Sequence, residues 1–218
     1  MDFQTCKTLG GVGAILLLIG CLSSVSPAVG FLGLVGIILV LIALNGFADY
    51  YKEKGIFNNA LYGIIIFIVG FVITIAVVVY VLVDFLTSLG IDLGDWQSFQ
   101  TIDWQNVMTP DKIMNLVGSG IIALVILFIF SILGAYFLKR SLDLLAAKTE
   151  VKLFATTGLV LLIGAVLTIV LIGFILIFVA IILLIVAFFS IKTPTATATP
   201  TPAPPATAEA SKPPMQNP

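Results

Sequence analysis

Leu153 to Ile191 reads LFATTGLVLLIGAVLTIVLIGFILIFVAIILLIVAFFSI, thirty-nine consecutive residues without a charge. A run of that length belongs in a bilayer. As one helix it would reach about 58 Å at 1.5 Å per residue, roughly twice the hydrocarbon thickness, so it divides into two spans joined by a tight turn, with Gly173 as the turn. A second charge-free run, Thr8 to Ala48, has the same layout with its turn near Pro27 to Gly30. Two helical hairpins therefore frame the chain.

Composition narrows the class further. Hydrophobic residues make up 60% and charged residues 10% of the 218, against about 45–50% and 25% in a soluble domain. Water-soluble folding is excluded. The formal charge of −1 offers no basic surplus for nucleic acid. With no histidine and only Cys6 and Cys21, neither a disulfide framework nor the usual metal sites can be assembled, and no cofactor is expected.

Six spans are expected, at about 9–25, 29–47, 60–86, 113–138, 154–171 and 174–191. Gly10, Gly11, Gly13 and Gly20 in the first, and Gly30, Gly33 and Gly36 along one ridge of the second, point to close helix packing, which in lipid relies on small residues at the contact. Leu18-Ile19-Gly20-Cys21 matches a lipoprotein cleavage box, but the membrane sequence that follows it argues against processing there. After the second span, Tyr50, Tyr51, Lys52 and Lys54 suit the headgroup layer, and Asn58 and Asn59 are candidate caps for the third span. Thr109-Pro110-Asp111 reads as a helix start. Residues 139–152 keep a helical pattern and are expected to lie on the membrane surface as a separate amphipathic turn or helix. From Thr193 the chain turns to Thr, Pro and Ala, and the tail 192–218 reads as disordered.

Three residues stand out as candidates for function. Asp84 lies near the end of the third span and reads as an interfacial carboxylate, or, more sharply, as a proton-binding site. The loop 87–112 carries Asp95-Trp96-Gln97 and Asp103-Trp104-Gln105, so Trp96 and Trp104 mark either an interfacial segment or a ligand mouth. Leu162-Ile163-Gly164 repeats Leu18-Ile19-Gly20, and Gly173-Phe174 repeats Gly30-Phe31, which suggests related hairpins.

Charge fixes the expected orientation. With six spans, Lys7, Lys52, Lys54, Lys139, Arg140, Lys148, Lys152, Lys192 and Lys212 fall on one side, while the other holds Lys112 with Asp84, Asp92, Asp95, Asp103 and Asp111. The positive-inside rule puts both termini in the cytoplasm of a cell-membrane protein built from three in-out-in hairpins. The Thr/Pro tail is the one dissenting feature, since such stalks usually face outward.

Leu9-Gly10-Gly11-Val12-Gly13, Tyr50-Tyr51-Lys52 through Ile56-Phe57-Asn58-Asn59-Ala60, Leu144-Leu145-Ala146, Thr149-Glu150-Val151-Lys152-Leu153-Phe154 and Ala187-Phe188-Phe189-Ser190-Ile191 resemble an uncharacterised, largely archaeal membrane family, domain of unknown function 996. The resemblance covers about residues 8 to 191. It implies a multi-pass membrane protein and transfers no catalytic or binding residue.

The sequence thus predicts an all-α polytopic membrane protein whose partners are the lipid bilayer and, through the tail or cytoplasmic loops, another protein. A scaffold or interaction role is favoured, because no charge lies deep in a span. The alternative is a channel or transporter for a neutral or hydrophobic solute. An enzyme is not expected: Cys21 has no basic neighbour to activate it, and the remaining pair, Asp92 and Asp95, reads as solvated loop acids.

Overall fold

The computed structural model describes residues 2–21, 27–89, 109–168 and 172–192, apart from the side chains of 27–29. Among them are six helices and no strand: α1 (Phe3–Cys21), α2 (Pro27–Tyr50), α3 (Lys54–Ser88), α4 (Pro110–Thr149), α5 (Lys152–Leu167) and α6 (Gly173–Ser190). Five are long and apolar enough to cross a membrane, and α5 is a shorter apolar helix of 16 residues. The protein is an all-α polytopic membrane protein. The expected disordered tail, beyond Lys192, lies outside the described residues, as do Trp96 and Trp104.

The helices outrun the charge-free runs, because a charge ends an apolar stretch without ending a helix. Lys139 and Arg140 sit inside α4, which continues unbroken to Thr149. The separate surface helix expected at 139–152 is therefore the last turns of α4, held in place because Ser141, Leu142 and Leu145 are buried against the other helices. Asn58 and Asn59 likewise fall within α3 and not at its cap, the Asn59 amide donating to the Gly55 carbonyl at 2.7 Å. Pro27 and Gly173 each open a helix, α2 and α6, where the sequence suggested they would form the turn. A first-position proline loses no hydrogen bond, since the first four N–H groups of a helix have no internal partner anyway. At α4 the expectation holds, with Pro110 first, Asp111 in the first turn and an extended Thr109 before it, although the Thr109 side chain makes no capping bond.

Consecutive helices run antiparallel, and the packing closes on itself. Each helix packs on its neighbours in the chain, and α1 packs on α6, so the described helices form a ring of three hairpins, α1–α2, α3–α4 and α5–α6. The links between hairpins are short. Both contain a left-handed residue that is not glycine, Lys52 (φ 53°) after α2 and Glu150 (φ 59°) after α4, a conformation costing about 1–2 kcal/mol with a side chain present.

Small residues set the closest approaches. A Cβ on Gly20 would fall 2.4 Å from the Gly33 Cα, and one on Gly173 would fall 2.1 Å from the Gly164 carbonyl oxygen. For Gly20 and Gly33 the expected role in packing is what the structure has, and Gly173, expected as the turn, packs as closely. This packing also relates the two terminal hairpins: Gly20 meets Gly33, and 144 residues on, Gly164 meets Ile177.

The core lies at one end of the ring, where every described cation except Lys112 also lies. Phe3 and Cys6 of α1, Leu44 and Phe47 of α2, Ile56 of α3, Leu142 and Leu145 of α4, Phe154 of α5 and Phe188 with Ile191 around the end of α6 form one cluster. Phe188 joins it together, parallel to Phe47 (centroids 6.3 Å, 19°) and edge-on to Phe154 (5.2 Å, 78°). The buried Ser141 hydroxyl donates to the Ile56 carbonyl at 2.5 Å, tying α4 to α3.

At the other end the hairpins part company. At 1.5 Å per residue α3 and α4 reach about 52 and 60 Å, whereas α5 and α6 reach about 24 and 27 Å. The outer halves of α3 and α4 thus extend beyond the other hairpins, paired with each other and otherwise presenting apolar side chains such as Phe71, Val72, Ile121 and Ile122 outward. Such surface is stable only in hydrocarbon, and helices longer than the bilayer fit by tilting.

Candidate functional site

Asp84 is the sequence candidate that the structure places. It is exposed near the end of α3 and lines a cleft between α3 and α4 with Ser88, Lys112, Asn115 and Ser119. The antiparallel register creates this grouping: Gly63 approaches Gly134 and Leu138, Gly70 approaches Phe130, and the same offset sets Asp84 beside Asn115 and Leu116. Lys112 is the cation absent from the local sequence of Asp84. Its ammonium donates to the carbonyl of Ser88, the last residue of α3, at 2.7 Å, where a cation offsets the negative end of the helix dipole.

The hydroxyls here are committed to their own helices. Ser88 donates to the Phe85 carbonyl (2.7 Å) and Ser119 to the Asn115 carbonyl (2.8 Å). That leaves the Asp84 carboxylate, the Asn115 amide and the remaining Lys112 protons to face the cleft. Its volume is about 90 Å³, well under the roughly 300–1,000 Å³ of small-molecule sites. The space suits a few waters or a small ion. Chemically the arrangement is a polar clasp that finishes two apolar helices where they leave hydrocarbon.

The opposite end carries the larger polar surface. Three of its cations are engaged: Lys7 donates to the Ile191 carbonyl (2.7 Å) across the α1–α6 contact, Lys139 pairs with Asp143 (2.5 Å), and Lys148 lies 3.6 Å from Glu53, linking the two inter-hairpin turns. Lys52, Lys54, Arg140, Lys152 and Lys192 are exposed and form no ion pair among the described residues. Burial, with Tyr50 beside it, pushes the Tyr51 phenol up, so this ring stays neutral against the core. Sequence reading found the cations but could not separate the engaged from the free, since Lys7 and Ile191 meet across 184 residues.

Comparison with known proteins settles what kind of chain this is. A family model described as "Protein of unknown function (DUF996)" matches residues 32–182, more than half of the chain. The chain belongs to the DUF996 family. The DUF996 match runs from within α2 into α6, taking in the α3–α4 hairpin and α5 whole and leaving out α1. The chain is also similar to the uncharacterized protein MJ1644 of Methanocaldococcus jannaschii, 33% identical over 192 residues, which cover 88% of this chain and 94% of that one. No solved structure matches it.

Proposed function

We propose that this DUF996 protein is a membrane scaffold or interaction protein that lies in the cell membrane with both termini in the cytoplasm and engages a protein partner through its cytoplasmic face and tail. The observation that carries the reading is the form of the cation-bearing end. There the centre of the ring is filled by Phe47, Ile56, Leu145, Phe154 and Phe188, each fully buried, while Lys52, Lys54, Arg140, Lys152 and Lys192 remain exposed around it. A plugged centre with a charged rim is suited to docking, where charge steers encounter and selects partners. Its charge also supports the orientation. Transport of a neutral or hydrophobic solute, the alternative, would require that aromatic plug to part.

The test is affinity capture from native membranes of the full chain beside a form ending at Lys192, with bound proteins identified by mass spectrometry. A stoichiometric partner retained by the full chain and lost, or bound at least tenfold less, by the shortened one is expected. Recovery of this protein alone from both would overturn the interaction reading and favour transport.

A further inference from the structure

An open groove among the described residues is unlike the polar cleft. It lies between α2 and α3, the least extensive of the six helix contacts that close the ring, and its volume is about 280 Å³. Ile38, Leu41, Ile42 and Asn45 line it from α2 and Phe57 from α3. Positions 38, 41, 42 and 45 follow helical spacing and so form one continuous stripe, about 10 Å long. The stripe is apolar except at Asn45, at the end nearer the cations.

Asn45 is exposed and has no hydrogen-bond partner among the described residues. A free amide in apolar surroundings is costly, and it offers two donors and an acceptor to whatever fills the groove. It stands five residues before Tyr50, the end of α2, so about 7–8 Å in from that end. That is the depth at which polar headgroups give way to hydrocarbon. Lys52, in the link, and Lys54, one helical turn before Phe57, are exposed and unpaired at the same end. The carboxylates nearby are Asp49, which is exposed, and Glu53, whose charge is offset by Lys148.

We propose that this groove is a binding site for one anionic glycerophospholipid of the surrounding leaflet, with a chain along Ile38, Leu41 and Ile42, the glycerol linkage at Asn45 and the phosphate at Lys52 and Lys54. The groove opens at bilayer depth, its one free polar group matches the polar linkage of a lipid, and its free charges are opposite in sign to the headgroup. Asp49 sharpens the choice, since it disfavours a second negative charge on the headgroup. The site goes beyond the interaction role and does not depend on it.

The test is native mass spectrometry of the full chain released from nanodiscs of equal phosphatidylglycerol and phosphatidylcholine, counting lipids retained per protein. The wild type is expected to keep one phosphatidylglycerol in preference to phosphatidylcholine. Lys52→Gln and Lys54→Gln should each lower that retention about fivefold, whereas Lys152→Gln, away from the groove, should not. Asn45→Leu should also lower retention, with unchanged thermal stability. The lysine variants lie outside the buried core, so they keep the test valid if Asn45→Leu folds poorly. Equal retention of both lipids by the wild type, or equal loss with Lys152→Gln, would overturn the site. So would a wild-type dimer that Asn45→Leu converts to monomer, which would give the groove to a second copy of the chain.

Discussion

Gly173→Ala is expected to open the α5–α6 hairpin and destabilise the protein by about 3 kcal/mol or more. A Cβ there would lie 2.1 Å from the Gly164 carbonyl oxygen, 2.3 Å from the Thr168 nitrogen and 2.6 Å from the Leu167 carbonyl carbon. All three are backbone atoms, so no rotamer change relieves the contact; only separation of the helices does. Separation also costs α5 its hold on α4, because the two contacts share one short helix. Gly118→Ala is the matched control. Nothing lies within 4 Å of a Cβ at that position, and alanine is favoured over glycine inside a helix by about 0.5–1 kcal/mol. Thermal unfolding in one detergent should therefore move down by roughly 10 °C for Gly173→Ala and stay level or rise for Gly118→Ala. Similar melting for the two would show that the close approach of these helices does not exist.

Phe188→Ala is expected to cost a comparable amount, about 3–5 kcal/mol. The ring is fully buried, touches Phe47 and Phe154, and fills the space left by Gly10, its Cε1 atom lying 2.4 Å from where a Cβ on that glycine would be. Helices in lipid gain little from moving apolar surface between hydrocarbon and protein, so the loss comes from packing and the cavity left behind. Because α1, α2, α5 and α6 all meet at this ring, one deletion loosens the closure of the whole bundle. Phe31, 66% exposed on α2, reports the opposite case. Phe31→Ala should change stability by less than about 1 kcal/mol, measured by the same melting assay.

These two cases also show what the sequence could and could not reveal. The number of helices was legible because runs such as Leu153 to Ile191 have no alternative to a bilayer, and the glycines were legible as packing residues because lipid offers no other strong reason to enrich them. The ends of the helices were not. Lys139 and Arg140 end the apolar run of α4 but leave nine more residues of helix, since whether a charged turn stays helical depends on what its other face is buried against, here Ile56 and Phe154. Partners across the ring were equally hidden. Gly10 and Phe188 are adjacent in space through the α1–α6 closure, which no local pattern encodes. Lys112 and Asp84 share a cleft only through the offset between α3 and α4, which no local pattern in either helix encodes.

The helix lengths give the molecule a pronounced asymmetry. α3 and α4 exceed a bilayer of about 30 Å, while α5 falls short of it. A single hairpin therefore sets the span of the protein, and the two terminal hairpins pack against its cation-bearing half. Mutations at that end act on all six helices through one core. Mutations at the outer end of α3 and α4 act on that pair alone.

The proposed orientation puts the inter-hairpin links and both termini on one side of the membrane and the start of α4 on the other. Single cysteines at Glu53, Glu150, Lys192 and Thr109, placed in a Cys6→Ser, Cys21→Ser background and probed with a membrane-impermeant maleimide, test this directly. In intact cells only Thr109→Cys should react, and the other three should react after permeabilisation. Labelling of Glu53→Cys, Glu150→Cys or Lys192→Cys from outside, or of Thr109→Cys only from within, would contradict it.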